Sequence, residues 1–331
     1  MMKFLSCDWG TSSFRLRIVN LTDASIEGEY VNEAGIQATY HKFVESGNEE
    51  HRVKFYFDQL KKEIKQMSIN LHVNLDGMLI VCSGMASSSI GIMELPYADL
   101  PIDVKGNSVG LEYFPISDDF DHSLLLVSGL RSSDNVMRGE ETQLIGVVRQ
   151  LENFSGEGVF ILPGTHSKHI KVKGYKVSNF KTYMTGEVFQ LMAYQSILSK
   201  SVKMDARPNE KFQEIFKVGV EEGASSALLS VLFKVRTNEL FGRYTKEENF
   251  HYLSGLLIGN ELSNLVEEKD SRIYLCSEGK LHLNYAIGME ILGLHAEVLP
   301  KEWVRKSVIH GQIQILNQNI NNEKNIFLGS F

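Results

Sequence analysis

One hairpin pattern occurs twice in this chain. Gly10-Thr11-Ser12-Ser13-Phe14-Arg15-Leu16-Arg17-Ile18 and Gly164-Thr165-His166-Ser167-Lys168-His169-Ile170-Lys171-Val172 share the form G-T-x-S-x-x-[LI]-[RK]-[IV]. An apolar run precedes each, MKFLSCD and GVFILP, and residues after each turn alternate with the period of a half-buried strand. Strand, glycine turn and strand make a hairpin. Repetition near half the chain is too widely spaced for a solenoid. It predicts two similar domains, each offering a glycine turn to a cleft between them, and 331 residues suffice for two domains of ordinary size.

The rest of the pattern agrees with an α/β fold built twice. Residues 53–67 place Phe57, Leu60 and Ile64 at helical spacing, with lysines on the other face. DGMLIVCSGM and SLLLVSGL read as buried strands, and residues 140–151 as a helix. Beyond the second hairpin, KFQEIFKVGVEEG, FHYLSGLLIGNELSNLVE and LNYAIGMEILG read as helices and RIYLCSEG as a strand. The polar stretch 152–158 marks the boundary, dividing the chain into domains 1–151 and 152–331. A net charge of −7 argues against nonspecific binding to nucleic acid or to an anionic membrane, both of which need a cationic field. No apolar run is long enough to span a bilayer, and the start MMKFLSCDWG does not read as a signal peptide. Cys7, Cys82 and Cys276 form no CxxC pair or disulfide framework, which points to a reduced, cytoplasmic protein.

Three segments could carry chemistry. In Asp8-Trp9-Gly10-Thr11-Ser12 a glycine turn lets backbone N–H groups and hydroxyls approach an anion, and Asp8 could hold Mg²⁺ through water. Taken alone, the same residues also read as an ordinary hairpin. The second turn, Pro163-Gly164-Thr165-His166-Ser167-Lys168, lacks an acid but carries His166 and Lys168, suited to phosphate or an anionic substrate, or else to solvent. In Asp134-Asn135-Val136-Met137-Arg138-Gly139-Glu140-Glu141, acids open a helix. They either complement its dipole or supply a base for a substrate hydroxyl, with Arg138 beside them for an anionic group. The chain has no P-loop, no dinucleotide fingerprint and no zinc-ligand spacing.

Taken together, D-x-G-T-S, G-E-E-T-Q before a helix, and G-T-H-x-K in a second hairpin resemble the sugar-kinase branch of the actin/Hsp70/hexokinase superfold. NVMRGEETQLIG, LPGTHSKHI, MTGEVF, LSGLLIG, EAGI and SGMASSSIGIMELPY are similar to the 2-dehydro-3-deoxygalactonokinase family, over Asp8 to about Gly311. The resemblance implies two ribonuclease-H-like domains, with a central cleft, closing over ATP and Mg²⁺. The N-terminal domain would be the substrate side and the C-terminal domain the nucleotide side. The implied reaction is ATP-dependent phosphorylation of the C6 hydroxyl of 2-dehydro-3-deoxy-D-galactonate, in galactonate breakdown.

Carried onto this chain, Asp8, Gly10, Thr11 and Ser12 match the first phosphate motif, with Asp8 toward the metal, and Gly164 and Thr165 match the second. Ser277 and Gly279 fall at the adenosine turn, where Glu278 stands in place of an expected glycine. Glu140 is the implied base and Asp134 the second choice. Arg138, His166, Lys168, Gly84 and Met85 are the implied substrate contacts. The implied partners are ATP and a small sugar acid, with a homodimer allowed. The alternatives are a kinase of a related sugar or sugar acid, a phosphatase acting on nucleotide or polyphosphate, and a nucleotide-binding regulator of the same superfold. The last should carry a DNA-binding module, for which the expected phosphate strand at the very start leaves no room.

Overall fold

The structure, a computed structural model, describes residues 2–47, 51–204, 210–268 and 271–322. It divides into two compact units. The first comprises residues up to 155, residues 175–179 and those from 305 on; the second comprises 156–174 and 180–304.

In the first unit, alternating apolar residues make β1 (Lys3–Trp9) and β2 (Phe14–Asn20) an antiparallel hairpin, with Asp8 opposite Arg15 and Trp9 opposite Phe14. β3 (Ile26–Asn32) extends it antiparallel, and α1 (Ile36–Glu45) and α2 (Arg52–Leu71) follow. β4 (Ile80–Gly84) returns parallel to β1. After the short β5 (Ala98–Asp99), β6 (Ile102–Asp103) and β7 (Leu111–Phe114), β8 (Leu124–Val127) pairs parallel with β4. β9 (Leu130–Arg131) and β10 (Val136–Met137) form a small hairpin leading into α3 (Glu140–Gln150). The sheet order is β3-β2-β1-β4-β8-β7. Every residue of β4 and β8 is buried, as parallel strands covered on both faces should be. Leu5, Cys7 and Trp9 share a core cluster with Phe57, Leu60 and Ile64 of α2, the helical stripe that the sequence displays.

The second unit repeats the plan. β11 (Gly158–Leu162), β12 (Ser167–Lys173) and β13 (Lys176–Tyr183) lead to α4 (Thr185–Gln190), α5 (Glu210–Ser225), α6 (Leu228–Leu232), α7 (Lys234–Leu240) and α8 (Lys246–Ser263). β14 (Ile273–Leu275), α9 (Gly279–Ile291), β15 (Ala296–Val298) and the start of α10 (Lys301–Asn322) complete it. β11 pairs antiparallel with β12 and parallel with β14, which pairs parallel with β15. The order β13-β12-β11-β14-β15 is thus the order β3-β2-β1-β4-β8 of the first unit. Both are the ribonuclease-H-like arrangement, and the fold is that of the actin/Hsp70/sugar-kinase superfold. Lys176 and Val177, at the start of β13, pair with β6 inside the first unit.

The units are not contiguous, whereas the sequence reading assigns all of 152–331 to the second domain. α10 counts with the first unit from Arg305 on because its small and apolar residues are needed there. A Cβ on Gly311 would lie 1.9 Å from the carbonyl oxygen of Thr142, and one on Gly146 would lie 1.7 Å from that of Ser307. α3 and α10 therefore touch backbone to backbone. No helix among the described residues is long and apolar enough to cross a membrane.

Candidate active site

In the first unit the site starts at the β1–β2 turn. The Gly10 N–H donates to the Ser13 carbonyl at 2.9 Å, and the Gly10 and Thr11 carbonyls accept from the N–H groups of Ile36 and Gln37. Gly35 makes this approach feasible, since a Cβ there would lie 2.3 Å from the Thr11 oxygen. The segment EAGI thus braces the turn, and Thr11 and Ser12 are left exposed. Asp8, at the end of β1, has a quarter of its side chain exposed, with the Arg15 guanidinium 3.5 Å away. Burial raises the Asp8 pKa, Arg15 and Arg17 oppose this, and Glu140 adds to it. Arg17 is itself buried and held by Glu29 at 2.7 Å. Arg15 carries no assignment in the sequence reading, although its register opposite Asp8 follows from the hairpin alone.

Two glycines in left-handed conformations bring the second acid in. Gly84 (φ 91°) ends β4 and Gly139 (φ 111°) precedes α3. A Cβ on Gly139 would lie 3.3 Å from the Gly84 Cα, and one on Gly84 would lie 2.8 Å from the Trp9 oxygen and 3.6 Å from Oδ1 of Asp8. Neither position tolerates a side chain, so the ends of β1 and β4 and the start of α3 close together, and Glu140 comes within electrostatic reach of Asp8.

The two adjacent glutamates differ sharply in environment. Oε2 of Glu140 accepts from the Arg138 N–H at 3.0 Å, and Glu140 remains partly exposed. Glu141 is 1% exposed and accepts from the Gly139 N–H at 2.7 Å and the Thr142 hydroxyl at 3.0 Å. Burial, then the nearby Glu140 charge, pushes its pKa up to about 7.

Other residues proposed from sequence serve the scaffold. Asp134 is exposed on the β9–β10 turn, and hydrogen bonds from Asn135, Ser132 and Ser133 hold its pKa below the usual value, which makes it a weak base. Arg138 is buried: Nη1 donates to the Ser87 carbonyl and, at 2.6 Å, to the Ser87 hydroxyl; Nη2 donates to the Leu95 carbonyl; and the guanidinium lies 4.1 Å over the Tyr97 ring. It ties down the loop that follows Gly84 and Met85, the latter opening a 3₁₀ turn, Met85–Ser87. Gln312 of α10 escaped the sequence reading. Its amide donates to the Cys7 carbonyl at 3.0 Å and the Ser83 hydroxyl at 2.9 Å, fixing the strands beneath Asp8.

In the second unit, Gly164 and Thr165 form the matching turn. A Cβ on Gly186 would lie 2.5 Å from the Gly164 oxygen, and the Glu187 N–H donates to the Thr165 carbonyl at 3.0 Å, so the start of α4 lies directly against the turn. His166 is exposed and bonded to the Glu187 carboxylate. Lys168 is buried, and its ammonium donates to the His166 carbonyl at 2.9 Å. These three residues therefore shape the turn. Gly164, Thr165, Thr185 and Gly186 line a cavity of about 1120 Å³ whose wall also holds Phe189, Phe212, Phe250 and, from α9, Gly279, His282 and Asn284. Gly279 takes φ 70°, and the His282 ring meets the buried Ser277 carbonyl at 2.9 Å. Glu278 is exposed beside them. An apolar pocket with a few polar groups and a glycine turn is suited to a nucleotide.

Comparison with known proteins bears on the family and the fold. The family profile of 2-keto-3-deoxy-galactonokinase matches residues 8–313. The 2-dehydro-3-deoxygalactonokinase of Escherichia coli K12 is 32% identical over 191 residues, a stretch covering 56% of this chain and 61% of that protein. A Rhizobium meliloti protein assigned the same activity is 28% identical over 307 residues, 89% of this chain and 92% of that one. The crystal structure of a Sinorhizobium meliloti protein assigned as 2-dehydro-3-deoxygalactonokinase superposes with a TM-score of 0.77 at 26% identity, covering 96% of each chain.

Proposed function

The chain belongs to the 2-keto-3-deoxy-galactonokinase family, and from that premise we propose that it transfers the γ-phosphoryl group of ATP to the C6 hydroxyl of 2-dehydro-3-deoxy-D-galactonate, releasing the 6-phosphate and ADP. The observation that carries the residue assignment is the Gly84–Gly139 contact, which brings a partly exposed Glu140 near Asp8 at the start of a helix. Phosphoryl transfer asks mainly for positioning and charge neutralisation, with one weak base for the nucleophile. Glu140 takes the proton of the C6 hydroxyl as O6 bonds to the γ-phosphorus, while the bond from that phosphorus to the β–γ bridging oxygen breaks. Arg15 is placed to meet charge developing beside Asp8.

Asp8 fits a Mg²⁺ held through water and phosphate. Its carboxylate is partly exposed and raised in pKa beside a second acid, a pairing that a cation would relieve. Among the described residues, no three acids, histidines or cysteines gather into a cage, which suits a metal bound chiefly by phosphates. When bound, Mg²⁺ would neutralise phosphate charge.

We assign acceptor, base and metal to the first unit and the nucleotide to the second, with Gly10, Thr11 and Ser12 as donors to phosphate from one turn and Gly164 and Thr165 from the other. Ser277 and Gly279 belong to the nucleotide pocket. Gly84 and Met85 offer backbone to the sugar acid, while Arg138, His166 and Lys168 act through the loops they brace. The buried free thiols of Cys7, Cys82 and Cys276 suit a reducing cytoplasm. The test is ADP release from protein, ATP and Mg²⁺ over a panel of sugar acids and sugars. Turnover with the galactonate-derived acid and negligible ATP hydrolysis without it are expected. Turnover with another sugar alone overturns the substrate, and sugar-independent hydrolysis favours a phosphatase.

A further inference from the structure

Beneath the second glycine turn lies a buried carboxylate that no step above uses. Glu261, on α8, is 2% exposed. Its Oε1 accepts from the Ser167 hydroxyl at 2.7 Å and from Nε2 of His169 at 2.8 Å. Its Oε2 accepts from the Tyr285 hydroxyl at 2.7 Å and from the Thr185 hydroxyl. An ionised carboxylate has about four lone-pair sites, and here all four are filled. The donors come from β12, the first residue of α4, and α9.

Burying a charge is costly unless it is paired and hydrogen-bonded, and Glu261 accepts four such bonds. A neutral amide would offer one accepting oxygen where the carboxylate offers two, so only the carboxylate can gather the four donors. Burial would raise the Glu261 pKa, but the His169 hydrogen bond and charge, with Ser167 and Thr185, hold it below the usual glutamate value. Thr185 and Tyr285 line the cavity of the second unit beside Gly164 and Thr165, and Ser167 closes the turn while staying out of the cavity wall.

We propose that Glu261 is a positioning residue for nucleotide binding: through Ser167 and Thr185 it holds the Gly164–Ser167 turn against the start of α4 and so sets the donors that meet the nucleotide's phosphates. The proposal rests on the reading of this cavity as the nucleotide pocket. Glu261 touches no reacting atom, and its effect belongs in nucleotide affinity.

The test measures ADP binding by calorimetry on the full chain, with steady-state kinetics. Glu261→Gln should weaken ADP and raise the KM for ATP by about tenfold or more, the loss of one or more hydrogen bonds to a charged group, with the KM for the sugar acid unchanged. Ser167→Ala leaves the cavity wall intact and removes one of the four bonds, so it decides the matter if Glu261→Gln fails to fold. It should raise the KM for ATP in the same direction by about threefold or more, and add nothing when combined with Glu261→Gln. Folded variants that bind ADP as wild type does, or that lose only melting temperature, overturn the proposal. Equal losses for ATP and sugar acid overturn it too. If wild type itself fails to bind ADP, the reading of the pocket falls first and the proposal with it.

Discussion

Glu140 and Glu141 share a chemistry and differ by a single step along the chain, yet one faces partly outward and the other is sealed. Glu140→Gln should lower kcat by about 10²-fold or more, the usual loss for a general base, while calorimetry shows ADP binding retained. Normal turnover by that variant would remove Glu140 from the role. Glu141 gives a different signature. A glutamate in the unfolded chain titrates near ~4.3, whereas in the fold Glu141 is pushed up to about 7, chiefly by burial and then by Glu140. Its raised pKa therefore adds stability that is complete below the unfolded value and vanishes as pH climbs through 7. Between about pH 5 and about pH 8, urea unfolding of wild type should lose roughly 2–3 kcal/mol that Glu141→Gln does not lose. Parallel pH profiles for the two proteins would mean that Glu141 is ionised throughout. The motif G-E-E shows both acids but not which is exposed, because burial is a property of what packs on the helix.

Among the elements, the crossing of α5 and α8 depends on four glycines. Gly219 and Gly223 on α5 face Gly255 and Gly259 on α8, and a Cβ at any of the four would lie 2.1–2.4 Å from a backbone oxygen of the other helix. Glycines four apart lie on one helix face, so the spacing was there to be read in VGVEEG and SGLLIG. Its meaning was not, since the two stretches lie far apart in sequence. α8 carries Glu261 on the same rigid helix, so the close crossing also sets where that carboxylate stands. Gly259→Ala should destabilise by about 1–3 kcal/mol through overpacking against the Val220 backbone, read as a drop in urea midpoint. No drop would mean that the helices part easily. The start of α8 is also local chemistry: Thr245 and Glu248 form a reciprocal capping box, which extends the helix before the apolar run that reveals it in sequence.

Across the whole molecule, one five-strand order recurs in both units, and family membership spans residues 8–313. The hairpins, the helix stripe at Phe57, Leu60 and Ile64, and the two glycine turns were legible because they depend on periods of two and 3.6 and on turn residues a few positions apart. Those local rules determined the elements, the duplication and the candidate anions' cradles. Only tertiary structure decided that Arg138 and Lys168 turn inward, that Asp134 is spent on its own turn, and that α10 belongs with the first unit. It alone brings Gln312 beneath Asp8 and gathers Ser167, His169, Thr185 and Tyr285 around Glu261. Such contacts join residues tens to hundreds of positions apart, and no periodicity encodes them. They follow from which surfaces come together in a close-packed interior, which is settled only when the whole chain folds.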